Sequence, residues 1–230
     1  MSTEYMPYKY FTAVTVAFVA VLLISNIVST KLVDFGFFVF DAGTLLFPFA
    51  YIFGDLLTEV YGFKKAREVI WMGFGAALLM SLVFIGVNYL PPAADWGYQA
   101  AYEAILGLTP RIVSASLLAY LVGEFLNSSI IAKMKVRMQG KNFAWRAICS
   151  TLAGQGADTV IFVLVAFTGI FPWPVIWSII ISNYIFKVGV EIVFLPITAR
   201  VVKWFKKHEH EDYYDVDTNF NPFKLRSKDH

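Results

Sequence analysis

Six apolar stretches, at roughly 10–30, 42–60, 68–90, 111–132, 147–170 and 174–201, alternate with short polar segments along the chain. Each approaches or exceeds the roughly 20 residues that a helix needs, rising about 1.5 Å per residue, to cross about 30 Å of hydrocarbon. The pattern predicts an all-α membrane protein of six transmembrane helices. Little chain is left for a separate soluble domain, so 1–207 reads as one transmembrane domain and 208–230 as a polar tail. The tail combines an Asn-Pro step with many charges and is expected to be disordered. The first apolar stretch is too long for a signal peptide, has no basic segment before it and no clear A-x-A cleavage site.

Charge sorts the connections into two sets. Lys64, Lys65 and Arg67 lie between the second and third stretches, and Lys133, Lys135, Arg137, Lys141 and Arg146 between the fourth and fifth. Arg200, Lys203, Lys206 and Lys207 close the last stretch. The alternate connections are poor in Lys and Arg: 31–41 holds only Lys31, and 90–110 and 171–173 hold none. Short basic loops stay cytoplasmic, so the expected topology places both termini inside the cell membrane. Trp71, Trp145 and Trp204 then fall near the inner ends and Trp96, Trp173 and Trp177 near the outer ends, where amphipathic rings settle. Between Pro91-Pro92 and Pro110, Asp95 is expected to cap a short helix over 96–106 that Gly107 stops. That helix reads either as an interfacial lid or as a plain connector.

Composition agrees with this class. Hydrophobic residues make up 58% of the 230, against about 45–50% in soluble domains, and the mean hydropathy is +0.61. The net charge of +2 gives no reason to expect a nucleic-acid partner. Cys149, the lone cysteine, excludes an internal disulfide and reads as a small packing residue. His208 and His210 lie in a charged tail, where such spacing is expected to be solvated rather than metal-binding. No phosphate loop, zinc helix or nucleophile elbow occurs, so neither a cofactor nor ATP hydrolysis by this chain is expected.

Candidate chemistry lies inside the apolar stretches. A charge near mid-bilayer costs a few kcal/mol or more and persists where a cavity or a partner needs it. Residues three or four apart share a helix face. Asp55 and Glu59 therefore line one face with Thr58 beside them, as do Tyr120, Glu124 and Asn127, then Thr151, Gln155 and Asp158, then Asn183, Lys187 and Glu191. Asp55, Glu124 and Lys187 each fall about fourteen residues in from the outer ends, and Asp158 falls near a span middle, so four helices bring charge to overlapping depths. These residues could simply pair with one another for structure. Against that, five carboxylates (Asp55, Glu59, Glu124, Asp158, Glu191) face one mid-span cation, Lys187. Unpaired buried carboxylates suit proton carriage or a ligand with N–H donors. Asn26 reads as either a polar helix end or a site residue, and Arg111 as either an outer-surface anchor or a partner for an acid or a substrate.

At these residues the chain resembles the queuosine precursor transporter family of vitamin uptake-like membrane proteins. The resemblance covers about 10–203 and rests on Ser25-Asn26-Ile27…Thr30-Lys31, on Gly54-Asp55-Leu56-Leu57-Thr58-Glu59-Val60-Tyr61-Gly62, and on Arg111…Tyr120…Glu124…Asn127-Ser128. Trp145-Arg146…Ser150-Thr151…Gln155…Asp158-Thr159 and Lys187 before Pro196 complete it. It implies import of 7-cyano-7-deazaguanine, 7-aminomethyl-7-deazaguanine or queuine for tRNA modification, by a non-enzymatic carrier in the inner membrane. It further implies a midplane pocket like that of energy-coupling-factor binding subunits. Gln155 and Asp158, with Asp55 or Glu124, would grip the base edge, helped by Asn127. Lys187 and Glu191 would balance charge or gate, and Asp55/Glu59 would couple protons. The partners are the bilayer and the deazapurine, with a homodimer left open. A binding subunit needing a separate ATPase stays open too, with Ala13, Ala17 and Ala20 as a small-residue docking face. So does a membrane-embedded enzyme or a structural membrane protein.

Overall fold

The computed structural model describes residues 8–34, 39–107 and 110–224. The outermost parts of the expected domain and tail, 1–7 and 225–230, lie outside the described residues. The chain is helical: α1 (Phe11–Val28), α2 (Phe47–Asn88), α3 (Gln99–Leu106), α4 (Pro110–Arg137), α5 (Phe143–Phe167) and α6 (Trp173–Glu209). One feature departs from the all-helical expectation. The first connection holds a small antiparallel hairpin, β1 (Leu32–Asp34) with β2 (Val39–Asp41), followed by a 3₁₀ turn over Ala42–Leu45.

The second and third apolar stretches form a single helical run in place of two helices and a loop. The run breaks only at Gly62, whose φ of 84° and ψ of 166° lie where a side chain is strained. The break is a reversal, as packing on α4 makes plain. In the first arm, Gly54 meets Glu124 and Thr58 donates to Ser128, running along α4 in its own direction. In the second arm, Phe63 stacks near Phe125 and the Ile70 carbonyl accepts from the Tyr120 hydroxyl, running the opposite way. Lys64, Lys65 and Arg67 are therefore helical, and Arg67 is buried.

The remaining passes alternate in direction. Gly123 of α4 faces Asp158 of α5 while Asn127 faces Gly154. Thr151 of α5 bonds Glu191 of α6 while Asp158 pairs with Lys187. The start of α1 meets the end of α6, where the Glu209 carboxylate accepts from the Lys9 and Tyr10 amides at 2.9 and 2.7 Å. An anion there satisfies orphan N–H groups and suits the helix dipole. Both described ends of the chain consequently lie at one end of the bundle, the basic one.

Asp95 does not cap α3. The helix begins later than expected, with Tyr98 at its N-cap position and no side-chain cap, and Gly107 ends it as foreseen. The described part of the tail, expected from its composition to be disordered, makes defined contacts with the bundle. Residues 211–224 cross the basic end as an ordered strap, because their carboxylates and carbonyls find buried donors there. The Asp215 carboxylate accepts from the Phe63 amide at 3.0 Å, and Arg67 donates to the carbonyls of Asn219 and Asn221.

Polarity is distributed inside out relative to a soluble fold. Buried positions include Asp55, Glu59, Arg67, Lys135, Arg146, Thr151, Gln155 and Glu191, while Val16, Leu79, Leu82, Ile181, Ile185 and Val193 are exposed. Polar groups clustered in the bundle and aliphatic side chains on its exterior are what a hydrocarbon solvent selects. Among the described residues, four helical segments, within Phe11–Val28, Phe49–Asn88, Gln99–Arg137 and Phe143–Phe167, are long and apolar enough to cross a membrane.

Candidate functional site

The polar residues of the bundle gather in two tiers, one helical turn apart along the first arm of α2. The lower tier, toward the basic end, is built on Glu59. Its carboxylate, fully buried, is gripped by both terminal nitrogens of Arg146, one at 2.8 Å, and by Lys206 at 2.6 Å, with Lys135 at 3.9 Å. Lys135 also donates to the Glu59 carbonyl and the Tyr213 carbonyl at 2.6 and 2.7 Å. Asp212 of the strap joins Lys135 and Lys206 at 2.5 and 2.7 Å. Three cations thus hold two carboxylates, and each group has at least one partner of opposite charge.

The upper tier has the opposite balance. Asp55 of α2, Glu124 and Asn127 of α4, Gln155 and Asp158 of α5, and Lys187 and Glu191 of α6 face a common region. Asn127 donates to Asp55 at 3.2 Å, Thr151 donates to Glu191, and Lys187 pairs with Asp158 at 2.6 Å. Among the described residues, Asp55, Glu124 and Glu191 take part in no ion pair. Three buried acceptors here also lack a hydrogen-bond partner: Asn127 Oδ1, Gln155 Oε1 and Glu191 Oε2. Buried polar atoms are almost always satisfied, and each orphan is costly. Three orphaned acceptors on three different helices, among carboxylates without cations, leave this tier with more acceptors than its own donors satisfy.

Local sequence explains the convergence. Glycines bring α4 and α5 into close approach: a Cβ on Gly123 would come within 2.9 Å of the Asp158 Cβ and 3.2 Å of the Gly154 carbonyl oxygen. That crossing sets Asp158 against Gly123 and Asn127 against Gly154, one helical turn apart. Gly54 likewise lets Glu124 reach the first arm, with its carboxylate 3.3 Å from where a Cβ would stand. A small crevice of about 10 Å³ between α5 and α6 is lined in part by Thr151, Val188 and Glu191.

The structure brings together most of the residues singled out in the sequence and separates three. Glu59 belongs to the saturated lower tier, not with Asp55. Asn26 donates its amide to the Leu22 carbonyl of its own helix at 2.9 Å, as a polar helix end does. Arg111 donates to the Val165 and Thr168 carbonyls at the end of α5, capping that helix from the outer side. Tyr51 is a site residue the sequence reading missed. It bonds to Gln155 and stands within electrostatic reach of Glu191, Asp158 and Glu124. Its position four before Asp55, on the same helix face, was the available signal. Arg146, Lys135 and Lys206 were read only as markers of orientation, yet they neutralise Glu59.

Antiparallel apolar passes around a buried polar centre define a multi-pass membrane protein. Residues 41–201 match the family described as "Putative vitamin uptake transporter", and the chain belongs to that family of transporters rather than to a family of enzymes. A "Probable queuosine precursor transporter" of Bacillus subtilis (strain 168) is 33% identical over 168 residues, covering 73% of this chain and 73% of the relative. The "Queuosine precursor transporter" of Escherichia coli (strain K12) is 30% identical over 159 residues, covering 67% and 69%. A "Probable queuosine precursor transporter" of Haemophilus influenzae is 32% identical over 126 residues, covering 54% and 51%. No solved structure matches the chain.

Proposed function

We propose that the protein carries 7-deazaguanine precursors of queuosine across the inner membrane, binding them in the upper polar tier. The observation that carries this reading is the set of orphaned acceptors and cation-free carboxylates on four converging helices, in a chain whose relatives bear that transporter name. A 7-deazaguanine presents N–H donors along one edge. Gln155 and Asn127 can accept from that edge through their unpartnered oxygens, and Asp55, Glu124 or Glu191 can accept a pair of N–H groups together. Tyr51 and Tyr184 stand near enough to Gln155 and Leu152 to offer ring faces to a planar base. A cationic aminomethyl substituent would find an uncompensated carboxylate.

The Lys187–Asp158 pair keeps the tier from holding a still larger excess of negative charge, and it is the bond that an incoming donor can displace. Coupling to protons fits Asp55 and Glu191, because a carboxylate without a cation in low dielectric exchanges a proton at modest cost. Six membrane crossings with both termini cytoplasmic fit the alternating passes, the shared position of the two chain ends and the basic residues gathered there. The first arm of α2, fifteen residues long, rises only about 22 Å and would cross with help from the 3₁₀ turn before it.

Equilibrium binding tests the site. Purified protein in detergent should bind one of the three deazapurines in isothermal titration, and Gln155→Ala should weaken binding by about 2 kcal/mol, the usual scale for a lost buried hydrogen bond to a charged or polar partner. Binding of none of them, with the protein folded, would sink the substrate assignment.

A further inference from the structure

The strap over residues 211–224 closes the basic end of the bundle by bonding to α2, α4 and α6 there. Its amide at Tyr213 donates to the Val60 carbonyl, and its Asp215 carboxylate accepts from the Phe63 amide, so it bridges both sides of the Gly62 reversal. The Tyr213 ring covers Gly62 so closely that a Cβ there would sit 2.2 Å from it, and the Tyr214 ring covers Gly140, in the α4–α5 turn, at 2.1 Å. Asp212 joins Lys135 of α4 to Lys206 of α6, the two lysines that also reach Glu59. Farther along, Trp71 donates to the Pro222 carbonyl at 2.8 Å and stacks near Phe223, while Phe220 packs 4.9 Å from Phe63. The family match ends at residue 201, before this segment begins.

These contacts are polar or aromatic, and they differ in exposure: Asp212 keeps 44% of its side chain exposed, whereas Lys135, Arg67 and Asp215 are buried. The aliphatic packing of α1 and α2 around Leu56, Leu57 and Val60 does not depend on them. We propose that the strap is a latch: docked, it holds α2, α4 and α6 together at the basic end, and its release frees that end to open toward the polar tiers. The electrostatics favour a docked state at neutral pH. Burial opposes charge on Asp212, yet Lys135 and Lys206 outweigh it and hold its carboxyl below the ordinary range. Burial pushes Asp215 the other way, against the hydrogen bond from Phe63, so this contact is the weaker anchor.

The latch goes beyond the transport reading and is tested without any substrate. Full-length protein in lipid nanodiscs is compared by hydrogen–deuterium exchange with Asp212→Asn/Asp215→Asn and with the milder Asp212→Asn alone. The latch predicts exchange faster by about tenfold or more at 59–66 and 138–147, with the outer segments 99–106 and 173–180 unchanged. Exchange equal to wild type at the basic end would overturn it, as would uniform acceleration in both variants, which marks a general brace. Failure of the deazapurine to bind would leave this result standing.

Discussion

Glu59 and Asp158 are both paired carboxylates inside the bundle, yet their surroundings predict opposite responses to mutation. Glu59 and Arg146 are each fully buried, and Lys206 and Lys135 share the same carboxylate. Glu59→Gln leaves the buried Arg146 without a carboxylate and Lys135 and Lys206 with Asp212 alone, so it should lower stability by about 3–5 kcal/mol, the cost of breaking a buried pair from one side. Thermal unfolding in detergent measures this, and an unchanged midpoint would contradict the pairing. Asp158 and Lys187 remain partly exposed, at 24% and 17%. Asp158→Asn should cost about 1 kcal/mol or less in the same assay while abolishing substrate binding. Asp212 gives a pH test with a definite sign. Its carboxyl pKa is lowered on folding, so its contribution is complete above the ordinary value of 3.8 and is lost as pH falls through the lowered one. The melting midpoint of wild type should exceed that of Asp212→Asn near neutral pH, and the gap should close below about pH 4. The i, i+4 stripes made most of these residues visible in the sequence. Their pairing was hidden, because Glu59 meets Arg146 and Lys206 across 87 and 147 residues of chain.

At the scale of elements, two glycine features set the geometry on which the site depends. Gly62 reverses α2 without a loop. Gly62→Ala should destabilise by about 1–3 kcal/mol through its positive φ alone, and the Tyr213 ring must also move. Gly154 fits against Gly123 and Asn127, with a Cβ only 2.9 Å from the Asn127 Cβ. Gly154→Val should therefore cost about 1–3 kcal/mol by overpacking and should weaken binding by pushing Asn127 away from α5. A Val variant that binds normally would show that the crossing does not position the site. The apolar stretches announced the helices because length and hydropathy act locally. A reversal between the second and third stretches was expected, but as an ordinary basic loop; that the chain turns on Gly62 alone shows only in the backbone and in the packing of both arms on α4. The strap was illegible for a related reason. Its charged composition argues for disorder, whereas its donors and acceptors find buried partners on α2 and α4.

For the molecule as a whole, the two tiers divide the labour. The lower tier, with each charged group partnered, fixes the basic end of the helices around Glu59. The upper tier, short of donors and cations, is held open in chemical terms for a ligand that supplies them. Its acceptors belong to α2, α4, α5 and α6, so a bound base would draw four helices together, and its departure would let them part. That arrangement is suited to a carrier, in which occupancy must change the packing of the passes. The most direct test is uptake of a labelled 7-deazaguanine compound into liposomes containing only this protein, with and without an inward proton gradient, beside Asp158→Asn. The account predicts saturable uptake, stimulated by the gradient and lost in the variant. Binding without flux would contradict self-sufficient transport and assign the chain to a binding role within a larger assembly.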